Sequence, residues 1–380
     1  MRKPQTQNQS PCHSGILELH TKGYGFLRSR EHNLDRSEDD PFVPESLIKR
    51  HRLQSGSLIC GSINQQRNRN RGPKLSSVSS INGIDIDDYQ DVVRFDDLRA
   101  RNPARWLHLE HDDSPVSMRV IDLLAPIGRG QRALIAAPPR AGKTTLLSQI
   151  GKSIQTNYPD VMLKTLLIDE RPEEVSDMID QGMGDVFASN LDQSPESHAR
   201  LAKLVIAHCQ QLAETGNDVV LLVDSLTRLS RAFNKLPQTS GTTGAGGLNI
   251  RALDFPKKLF GSARAFHEGG SLTIIASVLI ETDNRMDDVI FREFKGTGNM
   301  DLVLDRSLAD RRIWPAIDII QSATRRVELL HDPKTIDAIT TLRNSLLSMP
   351  PDTAMRELTA KLNRFPTNRD FVDLIQSATT

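Results

Sequence analysis

Aromatic rings are scarce in this 380-residue sequence: Phe, Tyr and Trp together make up 4% of it. Against so thin a background, rings gathered in one short segment carry more information than usual. Cysteine is scarcer still. Cys12, Cys60 and Cys209 lie far apart, with no CxxC and no Cys/His ligand spacing. That argues against a disulfide framework or a zinc site and fits a reducing cytosol. Net charge is absent, with 48 Lys+Arg against 48 Asp+Glu, so a preference for nucleic acid has to come from local patches. The longest apolar run, within "SLTIIASVLI", is too short to cross a bilayer. "MRKPQTQNQSPCHSG" has no apolar core of a secretory signal. These absences predict a soluble, cytoplasmic chain with no membrane partner, long enough for two or three domains.

What is present changes character along the chain. Residues 1–14 are polar and read as a disordered tail. Residues 15–82 hold short β-like pieces separated by turns, with one helical candidate, "PESLIKRH", which predicts a small β-barrel. Within it, "NQQRNRNRGPK" is a basic, Asn/Gly-rich loop, as fitting for a solvated turn as for a nucleic-acid arm. Residues 83–117 read as a charged connector. From residue 118 onward, strands that are apolar throughout alternate with helical patterns, ending in amphipathic helices over about 325–380. Such alternation predicts an α/β fold, a parallel sheet covered on both faces.

The densest chemistry lies in "RALIAAPPRAGKTTLL". Ala137, Gly142, Lys143 and Thr144 match a phosphate-binding loop, with Ala137 where the first Gly is usual. The loop follows an apolar strand and opens a helix, as the motif requires. Backbone N–H groups and the helix N-terminus there form an anion cradle. Lys143 would reach the β/γ-phosphates of ATP, and Thr144 could ligate Mg²⁺. Asp224 ends the strand "DVVLLVD", where an acid can hold Mg²⁺ through water. Glu170 ends "KTLLIDE" at the same sheet edge, where an acid can polarise the attacking water. Asp169 would point the other way if that strand alternates.

Four segments together, "APPRAGKT", "LLIDERPEEVSDM", "LLVDSLTRLSRAFN" and "EFKGTGNMDL", resemble the family of the bacterial transcription termination factor Rho. The resemblance covers nearly the whole chain from Gly15. It implies a RecA-like ATPase domain behind an OB-fold barrel, assembled as a homohexamer that translocates on RNA and releases it from RNA polymerase. By the same resemblance, Gly128, Arg129, Gly130, Gln131, Arg132 and Ala133 form a turn against the nucleotide. Arg140, Ala141 and Thr145 belong to the phosphate loop, and Arg140 stands where the family usually has Lys. Glu170 is the implied catalytic base, with Arg171 beside it. Arg325 in "SATRRVELL" is the implied arginine finger, entering a neighbour's site, with Arg312 supporting the same interface. Trp314 stands where the family stacks an aromatic on adenine.

On the RNA side, "KGYGFLRS" resembles an RNP1-type strand. Tyr24 and Phe26 are two apart, so a strand turns both rings to one face, with Arg28 following and free to meet phosphate. Phe42 resembles a further pocket residue for single-stranded RNA. "SGTTGAGGLN" resembles the family's Q-loop, giving Gly241, Thr242 and Gly246 as channel contacts, and "ETDNRMDD" its R-loop, with Arg285 on phosphate. Thr242 replaces a basic residue, and Asn249 stands where an acid is common. His198 and His208, with no Cys/His partner, read as structural. Three alternatives stay open: a rotary ATPase subunit, a DNA helicase, or an RNA-binding protein whose ATPase has decayed.

Overall fold

The computed structural model of the chain describes residues 12–64, 72–237 and 244–379. Of the tail expected over residues 1–14, residues 1–11 lie outside the described residues, as do the basic run 67–71, Gly241 and Thr242, while His13 and Ser14 already belong to the first strand, paired with the strand that holds Cys60 and Gly61. Two compact units emerge. One takes in the chain up to Leu98 together with Lys203–Gly216; the other takes in Arg99–Ala202 and Asn217–Thr380.

The first unit is a barrel of β1 (His13–Leu19), β2 (Gly25–Arg28), β3 (Phe42–Val43), helix α1 (Glu45–His51), β4 (Leu58–Asn64), β5 (Lys74–Ile81) and β6 (Ile84–Asp85). Its sheet runs β3-β2-β1-β4-β5-β6 and closes where β3 meets β5. Closure buries Leu17, Leu27, Val43, Ile59, Leu75 and Ile81, each at most 1% exposed. Gly61 is required there, because a methyl group on it would lie 2.0 Å from the Ser77 carbonyl oxygen. Antiparallel pairing of β1 with β4 brings Cys12 and Cys60 to a Cα separation of 6.0 Å, joined as a disulfide. Sequence spacing argues against one, because spacing alone does not reveal that strands 48 residues apart lie side by side.

The second unit follows in chain order: β7 (Ala100–Arg101), β8 (Trp106–Leu107), α2 (Val116–Leu124), β9 (Ile127–Gly128), β10 (Arg132–Ala137), α3 (Lys143–Asn157), β11 (Met162–Glu170), α4 (Pro172–Asp180), β12 (Asp185–Asn190), α5 (Pro195–Glu214), β13 (Asp218–Asp224) and α6 (Leu226–Asn234). Then come α7 (Asp254–Gly261), β14 (Arg264–Phe266), β15 (Ser271–Leu279), α8 (Arg285–Lys295), β16 (Met300–Val303), α9 (Arg306–Asp310), β17 (Ala323–Thr324), α10 (Pro333–Leu347), α11 (Pro351–Leu362) and α12 (Asn368–Thr379). The sheet order is β12-β11-β13-β15-β10-β16-β17, parallel from β12 through β16. Strands such as β13 and β15 are apolar along their length because helices cover both faces. The C-terminal half of α5, Lys203–Glu214, belongs with the barrel unit, where Gln211 accepts the Ser57 hydroxyl at 2.8 Å and Glu214 accepts the Phe95 N–H at 2.9 Å.

Candidate functional site

The parallel strands end at one edge, and there Lys143, Glu170 and Asp224 of the second unit meet. β10 runs into Pro138 and Pro139, the chain turns at Gly142 with φ +84°, and α3 starts at Lys143. Only a glycine fits that turn, because a Cβ would also stand 2.7 Å from Cζ3 of Trp314. β11 delivers Glu170 and β13 delivers Asp224 to the same edge. Lys143 Nζ bonds Asp224 Oδ1 and lies 3.5 Å from Glu170 Oε1. The Ser277 hydroxyl donates to Asp224 Oδ1 at 2.8 Å, and an Arg228 guanidinium nitrogen lies 3.2 Å from Glu170 Oε2.

Glu170 is 2% exposed, and neither carboxylate oxygen accepts a hydrogen bond. Burial, and secondly the charge of Asp224, push its pKa up to about 7, against the opposing pull of Lys143 and Arg228. A base with that pKa is ionised for about half the time at neutrality, and its oxygens are engaged by the ion pairs to Lys143 and Arg228 rather than by hydrogen bonds. Thr144 is half-buried in the first turn of α3, and Thr145, Arg140 and Arg171 are exposed around the loop. Beside the loop, Val116, Ala141, Gly142, Thr145, Trp314 and Pro315 border a cavity of about 250 Å³.

Six residues expected against the nucleotide are not brought to the phosphate loop of their own chain. Gly128–Ala133 precedes and opens β10, so it lies at the opposite edge of the sheet, about 13 Å of strand from the phosphate loop. Their side chains are engaged locally: Arg129 with Asp218, Gln131 Nε2 with Asn299 Oδ1 at 2.7 Å, and Arg132 with the Thr297 carbonyl at 2.9 Å. Arg325 is at this same edge. It follows β17, which pairs with the start of β16, and its N–H donates to Asn299 O at 2.9 Å. Burial, together with Arg264 and Arg325, lowers the pKa of Arg132, which marks a crowd of cations. Arg312 does not accompany Arg325; it is exposed beyond the other end of β16, near Trp314.

The RNA-side residues divide in the same way. Tyr24, Phe26 and Phe42 form one cluster, with ring centroids 5.5 to 5.8 Å apart. His20 joins it, stacked on Tyr24 at 4.5 Å with 7° between the planes. Sequence reasoning passes over His20; its signal is the tight turn "LHTKGYG", whose closing pair, His20 N–H to Tyr24 O at 2.7 Å, sets the two rings side by side. Arg28 is not free to meet phosphate. It is 5% exposed, bonds Glu18 and Asp40 at 2.5 Å each, and underlies the Phe26 ring at 5.0 Å. It braces the rings from behind. Arg28→Ala is expected to leave Asp40 with the Ser37 N–H and Glu18 with Arg36 as remaining partners and to lower stability by about 1–3 kcal/mol, read as a fall in the barrel's melting temperature.

Gly246 and Arg285 are brought together: a Cβ on Gly246, whose φ is +68°, would lie 2.9 Å from the Arg285 carbonyl oxygen. Asn249 is a cap, 7% exposed, its Oδ1 accepting the Arg251 N–H at 2.9 Å. Arg231, on α6 one turn beyond Arg228, grips the fully buried Asp287 of α8, which also accepts from the Thr282 hydroxyl at 2.6 Å. One helix is thus tied to Glu170 at its start and to the Arg285 segment farther on. Sequence reasoning passes over Arg228 and Arg231 as well; their three-residue spacing on one helix face is the available signal.

Comparison with known proteins agrees with this geometry. Residues 13–87 match the RNA-binding domain of the Rho termination factor, and residues 117–324 match the nucleotide-binding domain of the ATP synthase alpha/beta family. Transcription termination factor Rho of Aquifex aeolicus is 46% identical over 94% of this chain and 83% of its own length. That of Bacillus subtilis is 44% identical over 95% and 84%. Among solved structures, an ATPase from the type III secretion system of pathogenic bacteria is 25% identical, with a TM-score of 0.57 over 73% of this chain and 80% of that one. The ATP synthase subunit NeqB of Nanoarchaeum equitans, 17% identical with a TM-score of 0.61 over 73% and 78%, shares the fold. Barrel, sheet-edge carboxylates and near-full-length similarity converge: this chain belongs to the transcription termination factor Rho family.

Proposed function

We propose that this chain is an RNA-dependent ATPase that translocates on single-stranded RNA and terminates transcription by freeing RNA from RNA polymerase. Glu170 carries the reading: a buried, hydrogen-bond-free carboxylate with its pKa near 7, beside the Lys143 cradle. Glu170 takes a proton from the attacking water as its oxygen bonds the γ-phosphorus, the bond from that phosphorus to the β–γ bridging oxygen breaks, ADP leaves with that oxygen, and Lys143 holds the phosphate oxygens. Arg140, Arg171 and the loop residues Ala141, Gly142 and Thr145 surround the phosphates, and Trp314 offers its indole to adenine. The donor set suits Mg²⁺, with Thr144 as ligand and Asp224 holding it through water; the ion would neutralise charge on the phosphates.

Arg325 supports assembly. It lies at the sheet edge opposite its own phosphate loop, so it can serve only a neighbour's site, which a head-to-tail homohexamer provides. Among the described residues no helix is long and apolar enough to cross a membrane; acting on transcription, as proposed here, would place the activity in the cytoplasm. Tyr24, Phe26, Phe42 and His20 take bases by stacking, while Gly246 and Arg285 grip the threaded strand.

The test is ATP hydrolysis with and without unstructured RNA. Addition of RNA is expected to raise kcat strongly. Tyr24→Ala and Phe26→Ala should each weaken RNA binding by about 1–3 kcal/mol, raising the RNA needed for half-stimulation while the RNA-free rate stays put. An RNA-independent rate in assembled rings would defeat the proposal. Stimulation by DNA in place of RNA, at matched salt, would favour the DNA-helicase alternative.

A further inference from the structure

β11 does not end as a regular strand. Its pairing with β12 slips between Ile168, opposite Ser189, and Glu170, opposite Asn190, which leaves Asp169 as the extra residue of a bulge. Asp169 has φ +59°, a left-handed conformation that side chains rarely adopt without support. Bulges re-aim the side chains beside them, and the residue re-aimed here is Glu170.

The support comes from His198, in the first turn of α5 and 5% exposed. Its Nε2 lies 4.0 Å from Asp169 Oδ1, and its Nδ1 lies 2.6 Å from the Ser189 hydroxyl. Ser189 is 1% exposed and also meets Gln193 Oε1 at 2.6 Å. One serine proton can serve only one of these partners. With the Gln193 amide turned so that its nitrogen faces the hydroxyl, the serine proton goes to His198 Nδ1 and the imidazole's own proton sits on Nε2, facing the Asp169 carboxylate across 4.0 Å as a charge–dipole approach. Ser189 stands opposite the last regular residue of β11, so this chain of contacts staples the bulge to the next strand at the step before Glu170.

We propose that His198 is a positioning residue for hydrolysis: with Ser189 it anchors Asp169 and so fixes the bulge that aims Glu170 at Lys143 and Asp224. The inference rests on Glu170 being the base of an RNA-dependent ATPase. Without the anchor, Asp169 relaxes toward ordinary strand geometry and the carboxylate that follows leaves its aim. The phosphate loop, Lys143 and Trp314 are untouched by that change, so nucleotide affinity is spared.

The experiment measures kcat and KM for ATP, at saturating single-stranded RNA, in His198→Ala, His198→Gln, Ser189→Ala, Glu170→Gln and the double variant His198→Ala/Glu170→Gln. His198→Ala is expected to lower kcat roughly 10- to 100-fold, the cost of misplacing a reacting group by a fraction of its reach. KM should stay within about twofold, since the binding contacts are uniform to both states. His198→Gln, whose amide can again donate toward Asp169, should recover most of the loss. The double variant should be no slower than Glu170→Gln alone, because both changes remove one function. If His198→Ala loses its melting transition, Ser189→Ala, which removes only a hydroxyl, carries the test with a smaller fall in kcat at unchanged KM. An unchanged kcat, a KM rising in step with the fall in kcat, or a further loss in the double variant overturns the inference. Full activity in Glu170→Gln would instead bring down the assignment of the base on which it stands.

Discussion

Glu170→Gln is expected to lower RNA-stimulated kcat by about 10²–10⁴-fold, the usual contribution of a positioned general base. Nucleotide affinity should change little, because in the proposed mode Lys143 and the loop amides around Gly142, not Glu170, hold the phosphates. The pH profile makes the prediction specific. Burial, then Asp224, raises the pKa of Glu170 to about 7, and only the ionised form can accept a proton. Activity should therefore climb with pH below about 7 and level off above it, and Glu170→Gln should erase that limb. Stability runs the other way. A carboxyl whose folded pKa is raised contributes fully at pH below its ordinary value of 4.5, and that contribution is lost as pH rises through about 7. At pH 8, then, Glu170→Gln should melt no lower than the unaltered protein. Retention of the acidic limb in Glu170→Gln would mean that another group titrates and that Glu170 is not the base.

Arg325→Ala should cost more, about 10³–10⁵-fold in kcat, if its guanidinium meets the γ-phosphate in a neighbour's site. Position on the sheet makes a sharper test possible than a single rate. The arginine and its own chain's cradle stand at opposite ends of β10, so in the proposed assembly each hydrolytic site would take parts from two copies. Rings of Arg325→Ala alone and rings of Glu170→Gln alone should both be inactive. In mixed rings, an Arg325→Ala copy with an intact base sits beside a Glu170→Gln copy with an intact arginine, and that junction is complete. Mixing should restore part of the activity. Arithmetic addition of the two residual rates, with nothing gained, would show that the arginine serves its own chain or none.

Much of this site is legible in the amino-acid sequence, for a definite reason. Strands that are apolar from end to end announce a parallel sheet, and a parallel sheet puts its ligands at the carboxyl ends of its strands. Glu170 and Asp224 each close such a run, so their shared edge follows from the sequence. The same rule, applied more strictly, separates Gly128–Ala133 from the phosphate loop of their own chain, since a turn that precedes β10 cannot lie beside a loop that follows it. Any contact of those six residues with a nucleotide, which family resemblance implies, would be with a neighbour's, as for Arg325. Arg28 fails for a different reason. Alternation places it on the ring face, and it does underlie Phe26, but its partners Glu18 and Asp40 reach it through strand pairing that no local pattern reveals. Pairing likewise hides the bulge at Asp169, the Arg231–Asp287 grip and the meeting of Cys12 with Cys60.

The brace beneath the aromatic cluster carries a consequence for how the barrel handles ionic strength. With its charge already neutralised by two acids inside the fold, Arg28 has no counterion to surrender when a nucleic acid arrives, so it adds nothing to the salt sensitivity of capture. In the proposed mode the four rings would add contact with flat base faces, which added salt screens far less than phosphate contacts. The salt dependence of capture would then come from cations other than Arg28, and the rings would favour strands whose bases are unpaired over those whose bases are stacked away.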